Sequence, residues 1–241
     1  MDTAYSEETI RKALLTAGIW KAIDKLDAGH GTYKEVDEVA KKLGDKIATE
    51  LTGMYSLGRF MDYSFVGHNI VEDCCVAAQT NLNAAAGIGI KPKRNKFPRQ
   101  RFLEAAARIE ASEDADALLR TVMATELLKS VDETARFNAD FLADAGMQPV
   151  VVRTWSGSYP SHDTKRTDWC HDLAGTFIYP DETSKDTFVR HEGCRCTIEY
   201  FPNKYAKGRI AALAKGEIDV EGVLYSTKAE TLEKRLRKAA K

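Results

Sequence analysis

The sequence predicts a mainly α, α+β protein: long N-terminal helices, then a small loop-rich α+β module with short strands and a Cys/His clasp. Three observations predict it. Apolar residues recur at helical spacing until Gly146. Short β-branched runs bounded by turn residues appear only after that point. Three of the five cysteines lie in this later part, two of them in the stretch RHEGCRCTIEY (190–200) beside His191.

The first helical pattern is Ile10, Leu14, Leu15, Ile19, Ile23 and Leu26, with Glu7 and Glu8 in the first turn. Gly29, His30 and Gly31 end it. Thr32 followed by Glu35 fits a capping box. Val36, Val39, Leu43, Ile47, Leu51 and Met54 then form an amphipathic stripe. The helical reading continues through Phe60, Met61, Phe65, Val71 and Val76 to Ala85. One helix of that length would span about 80 Å, so Gly58 and Gly67 are the expected breaks or kinks. Adjacent Cys74 and Cys75 point about 100° apart on such a helix. One is expected to pack and the other to lie at the edge of the face, neither with a chemical role. His30 and His68 read as solvated or capping residues.

GIGIKPKRNKFPRQR (87–101) is a linker with two glycines, two prolines and six basic side chains. A short helix to Ile109 follows, and another starts near Ser112. Leu118, Leu119, Val122, Met123, Leu127 and Phe141 carry that pattern toward Leu142, with Gly146 as the stop. Glu126 lies at the rim of its apolar stripe and reads as a paired structural carboxylate. Pro149 to Trp155, Gly175 to Tyr179 and Thr197 to Phe201 read as short strands, and residues 204–241 as a polar helix ending in KRLRKAAK. The region 147–201 buries little apolar surface and would gain from a staple.

Composition narrows the class. With 44% hydrophobic and 29% charged residues the chain reads as soluble and globular. No run approaches eighteen consecutive apolar residues, which argues against a membrane span. The polar, acidic start lacks a secretory pattern. An odd cysteine count in that setting argues against a disulfide framework. The net charge of −1 conceals segregation. Residues 91–110 hold seven basic and two acidic side chains, and 201–241 hold ten and five. Lys91, Lys93, Arg94 and Lys96 in the linker, with Lys234, Arg235, Arg237 and Lys238 in the tail, are therefore candidate contacts for a phosphate backbone. A solvated linker and tail is the alternative.

A tetrahedral zinc site needs four Cys or His ligands. Cys194 and Cys196 can bite one ion from a tight turn, with His191 closing from the same side. Cys170, in TDWCHDLAG, is the natural fourth ligand; His171 and His162 are the alternatives. Four ligands make a closed, structural site. Free thiols packed as small hydrophobes are the competing reading, and an open catalytic metal the third. No HExxH, zinc-deaminase pattern, phosphate loop or nucleophile elbow is present in the sequence.

The order of these features matters. Thr125-Glu126 lies in a helix and Asn138 follows. Trp155 ends a strand, Cys170 precedes Leu173-Ala174-Gly175, and Arg190-His191-x-x-Cys194-Arg195-Cys196-Thr197 closes the series. This order resembles the Mu F-like phage head morphogenesis family of minor head, or minor capsid, proteins, over residues 100–201. The resemblance implies a helical N-terminal region with the basic linker over 1–98, a Mu F-like head morphogenesis domain over 99–201 and a basic helical tail over 202–241. It implies a non-enzymatic structural component of the phage head, made in the bacterial host cytoplasm and residing in the virion. Such a protein would act in head assembly and in DNA packaging or delivery, bound to portal and capsid proteins. The Cys/His spacing adds one structural zinc to this expectation, and the basic linker and tail add non-specific contact to packaged double-stranded DNA. Many members carry C-x-x-C before the L-x-G element. Here Thr167 holds the first position, and Asp168 or His162 is the substitute. The competing function is a zinc-dependent hydrolase or a toxin-like effector.

Overall fold

The computed structural model describes residues 6–29, 31–86, 88–156 and 170–202. The expectations for His30, His162, Thr167 and Asp168, and for the tail helix with Lys234, Arg235, Arg237 and Lys238, lie outside these residues.

The described residues are mainly helical with one small sheet, the predicted class. Six helices come first: α1 (Glu7–Leu14), α2 (Ala17–Asp27), α3 (Tyr33–Leu51), α4 (Leu57–Ala86), α5 (Arg99–Glu110) and α6 (Ala115–Asp144). Strands β1 (Val150–Thr154), β2 (Gly175–Ile178) and β3 (Thr197–Phe201) follow, with a 3-10 turn at Lys185–Phe188. Among the described residues no helix is long and apolar enough to cross a membrane.

Three helix boundaries differ from the expectation. The first pattern is two helices, because Thr16 adopts an extended conformation. Leu14 and Ile19 are both fully buried; five residues apart on one helix they would diverge by about 140°. The interruption turns both inward. The break between α3 and α4 falls at Gly53, which holds a left-handed φ of 71°, and not at Gly58 or Gly67. Gly67 lies inside α4 at a close packing point, where a Cβ would stand 2.7 Å from the terminal methyl Cδ1 of Ile47. The third long helix is capped by Asp114, whose side chain accepts from Ala117 N at 3.0 Å, not by Ser112. The Thr32–Glu35 capping box forms as predicted, with Thr32 N donating to Glu35 Oε2 at 2.8 Å.

Helix α3 is central and packs most extensively on α6. Their crossing is so close that a Cβ on Gly44 would lie 2.4 Å from Ala124 Cα. Val36, Val39, Leu43 and Ile47 of α3 are fully buried, as are Met123, Leu127 and Val131 of α6. The antiparallel sheet has the order β2-β1-β3, with Val151 opposite Phe177 and Tyr200. Strand β3 sits on α3 and α6. Val150, Val151, Ile198, Tyr200 and Phe201 extend the same hydrophobic core that fills the bundle. Cys74 and Cys75 are both buried, correcting the expectation that one lies at an edge.

Linker residues 88–98 lack regular structure, yet side chains of α4 and α6 hold them. Asn138 accepts from Lys93 N at 3.2 Å and donates to Lys93 O at 3.4 Å. Asn95 N donates to buried Glu72 at 2.9 Å, and Asn83 donates to Ile90 O at 2.9 Å. The segment is a strap fastened along the bundle, and Phe97 stacks on Phe102 beneath it.

Candidate metal centre

The cysteine cluster is assembled by three local devices. Cys170 lies in a helical turn that leads into β2. Cys194 and Cys196 sit on a hook that reverses through Gly193, at φ 76°, and closes with Cys194 N donating to His191 O at 3.1 Å. This is why two residues separate His191 from Cys194. A turn of this shape needs a left-handed residue, which glycine supplies without strain. Gly193 also presses onto α6: a Cβ there would lie 3.2 Å from Thr121 Cγ2, and its N–H donates to Thr125 Oγ1 at 3.0 Å.

The hook is braced by a buried ionic group. Arg190 donates to both Asp132 oxygens, at 2.8 Å to Oδ1, and to the carbonyl of Cys196. Asp37 Oδ2 lies 3.7 Å away and accepts from Ile198 N at 3.2 Å. All three side chains are at most 3% exposed. Burial alone disfavours the Arg190 charge, but Asp132 and Asp37 override it and hold the guanidinium protonated. Burial pushes the Asp37 carboxyl up to about 7; Arg190 opposes this and Asp132 adds to it.

The sulfur atoms of Cys170, Cys194 and Cys196 all lie within 4.8 Å of one another, and the three residues are buried. Three buried cysteines are thus close enough to hold a metal ion. Cys170 Sγ and Cys194 Sγ are 3.9 Å apart. A disulfide would require about 2.05 Å, whereas two thiolates about 2.3 Å from a tetrahedral zinc stand about 3.8 Å apart. Burial and Cys194 raise the Cys170 pKa. Cys194 is raised chiefly by its hydrogen bond with Cys196, and that same bond lowers Cys196 to about 7. One thiol of the three is therefore poised near neutrality as a thiolate, the form that binds metal.

His191 adjoins the cluster through Cys170: its Nε2 is 2.9 Å from Cys170 Sγ. Its Nδ1 is 2.7 Å from Glu192 O. A carbonyl can only accept, so in the neutral ring Nδ1 carries the proton and the Nε2 lone pair faces the sulfur. His191 is not in the three-cysteine group whose ligand atoms share one centre, and its 2.9 Å contact is a hydrogen-bond distance to the Cys170 sulfur. Trp155 packs over the sulfurs. The alternative ligand His171 is turned outward, 66% exposed and edge-on to the Trp155 ring at 5.3 Å.

Other singled-out residues have structural partners. Glu126, 2% exposed, is ringed by Arg101 at 3.0 Å, Lys129 at 2.9 Å and Arg108 at 3.3 Å, a paired structural carboxylate. His68 is buried, not solvated: Nδ1 lies 3.2 Å from Ser130 Oγ, where α4 meets α6. Of the linker cations, Arg94 pairs with Asp73 at 2.6 Å, and Lys93 lies over the Phe137 and Phe141 rings at 4.9 and 4.6 Å. Lys91 and Lys96 are exposed.

Sequence reading missed Arg153, Asp132, Asp37 and Glu72, which are all buried. Arg153 alone left a trace, as a cation in the otherwise apolar run VVVRT. The chain matches no protein-family model, no curated protein and no solved structure.

Proposed function

We propose that the protein is a structural minor head protein of a tailed phage, acting in head assembly and DNA packaging or delivery at the portal or inner capsid surface. The sequence motifs of residues 125–197 carry this reading, and one observation gives them a common physical role. Residues far apart in sequence meet on α6: Thr125 accepts from the hook at Gly193, Asp132 pairs with Arg190, and Asn138 grips the strap at Lys93. The series Thr-Glu, Asn and H-x-x-C-R-C-T thus reads as one docking scheme between a helix, a strap and a hook.

The thiol cluster is the clasp of that scheme. Cys170, Cys194 and Cys196 supply three thiolates and His191 Nε2 the fourth donor for one structural zinc, a closed site. The zinc would tie the hook to the turn before β2. The recess beside Cys194 holds about 90 Å³, lined by Arg120, Thr121 and Arg195 among others. Contact with packaged DNA would fall to exposed Lys91 and Lys96 and to the C-terminal basic run, and would weaken steeply with salt.

Mass spectrometry of purified virions tests the function. The polypeptide is expected at low copy in DNA-filled heads, and its absence from both filled and empty heads ends the proposal. Elemental analysis of the purified chain tests the clasp. One equivalent of zinc is expected, lost in Cys194→Ser; a metal-free chain in which Cys170, Cys194 and Cys196 are all free thiols is the contrary result.

A further inference from the structure

Arg153 is a cation set against the sulfur cluster. It sits on β1, the central strand, with Gly175 and Ile198 as its register partners on either side. Its backbone is therefore held by two ladders, and its side chain is 1% exposed. One end of the fork, Nη1, donates to the carbonyls of Thr187 at 2.8 Å, Val189 at 3.0 Å and Asp186 at 3.2 Å. The other end, Nη2, lies 3.7 Å from Cys170 Sγ. The guanidinium thus spans from the loop that delivers Arg190 and His191 to the one cysteine contributed from outside the hook.

Resting on the metal reading above, we infer that Arg153 is a positioning residue that sets the metal affinity of the three-thiol cluster. Metal-bound cysteines are thiolates, so three of them around a divalent ion leave one net negative charge. In a buried site that charge is costly unless a cation lies beside it. Arg153 supplies the cation at the Cys170 sulfur and, through the 186–189 carbonyls, fixes its distance from the His191 side. The two ends of one planar fork reach both at once, and the charge beside the sulfur is the part that a lysine can restore.

The experiment is a competition titration of zinc against a chromophoric chelator, with cobalt(II) spectra as the thiolate signature. It uses the full chain, Arg153→Gln and Arg153→Lys, each checked for fold by circular dichroism. Arg153→Gln is expected to bind zinc about 10–100-fold more weakly and to shift the cobalt–thiolate charge-transfer band. Arg153→Lys, which restores the charge, is expected to recover most of the loss. Unchanged zinc affinity in Arg153→Gln overturns the inference. An equal loss in the two variants also overturns it, since Arg153 would then only clamp the loop. If Arg153→Gln does not fold, Arg153→Lys decides: affinity near that of the unmodified chain upholds the inference, and a loss of about tenfold or more overturns it. An unmodified chain that binds no zinc overturns the metal reading itself, and this inference with it.

Discussion

Two contacts on the same helix are built by opposite means. Where α3 crosses α6, Gly44 meets the backbone of Ala124 and the flanking side chains Leu43, Ile47, Met123 and Leu127 are fully buried. Where the hook docks on α6, a charged arginine is buried between two aspartates and a thiol cluster lies beside it. Apolar burial is non-directional and tolerates small displacements. Buried charges and thiols are directional, and each is costly once its partner is removed. The bundle therefore follows from hydrophobic pattern, whereas the hook depends on a few specific residues. Its small strands bury too little to do without them.

The largest expected effect is at the polar contact. Arg190→Met leaves Asp132 and Asp37 buried without their cation, and should lower stability by about 3–5 kcal/mol in denaturant unfolding. A loss under about 1 kcal/mol, as for surface pairs, would break the contrast between the two regions. At the apolar contact, Gly44→Ala forces the helices apart, because the neighbouring atoms are backbone and cannot rotate away. It should cost about 1–3 kcal/mol. An unchanged unfolding midpoint would show that the crossing has slack.

The smallest effect separates the regions by pH. Burial, aided by Arg101, depresses the His68 pKa from its ordinary 6.5 to about 4. Below pH 6.5 the unfolded chain takes up a proton that the folded chain refuses until about pH 4. The stability from His68 is complete above 6.5 and is lost as pH falls through that window, with a slope approaching about 1.4 kcal/mol per pH unit. Asp37, raised from 3.8 to about 7 by burial, acts with the opposite sign: its contribution is lost as pH rises. Comparing the native chain with His68→Phe therefore isolates the bundle's share. Parallel pH profiles for the two would show that His68 titrates alike folded and unfolded.

The helices, the Thr32–Glu35 cap and the three strands were legible because periodicity, capping and β-branching are local properties. The hook was legible as a ligand pattern, since His191, Cys194 and Cys196 lie within one turn. The break at Gly53 and the burial of His68 were not. A glycine that permits a left-handed turn and a glycine that permits close helix packing look alike in sequence; Gly53 does the first, Gly44 and Gly67 the second. The linker read as a basic segment, either facing a phosphate backbone or simply solvated. In the fold it is a strap, because Glu72, Asn83 and Asn138 satisfy its backbone from two helices.

By itself, then, the amino-acid order determined the class, the placement of most elements and the presence of soft ligands after residue 169, since each follows from neighbours in the chain. Only the tertiary structure decided which charges are buried together. Asp37, Asp132 and Arg190 come from separate parts of the chain, and Arg153 reaches Cys170 only once β1 is paired. The energy of a buried charge depends on what surrounds it in space, and no local pattern records that.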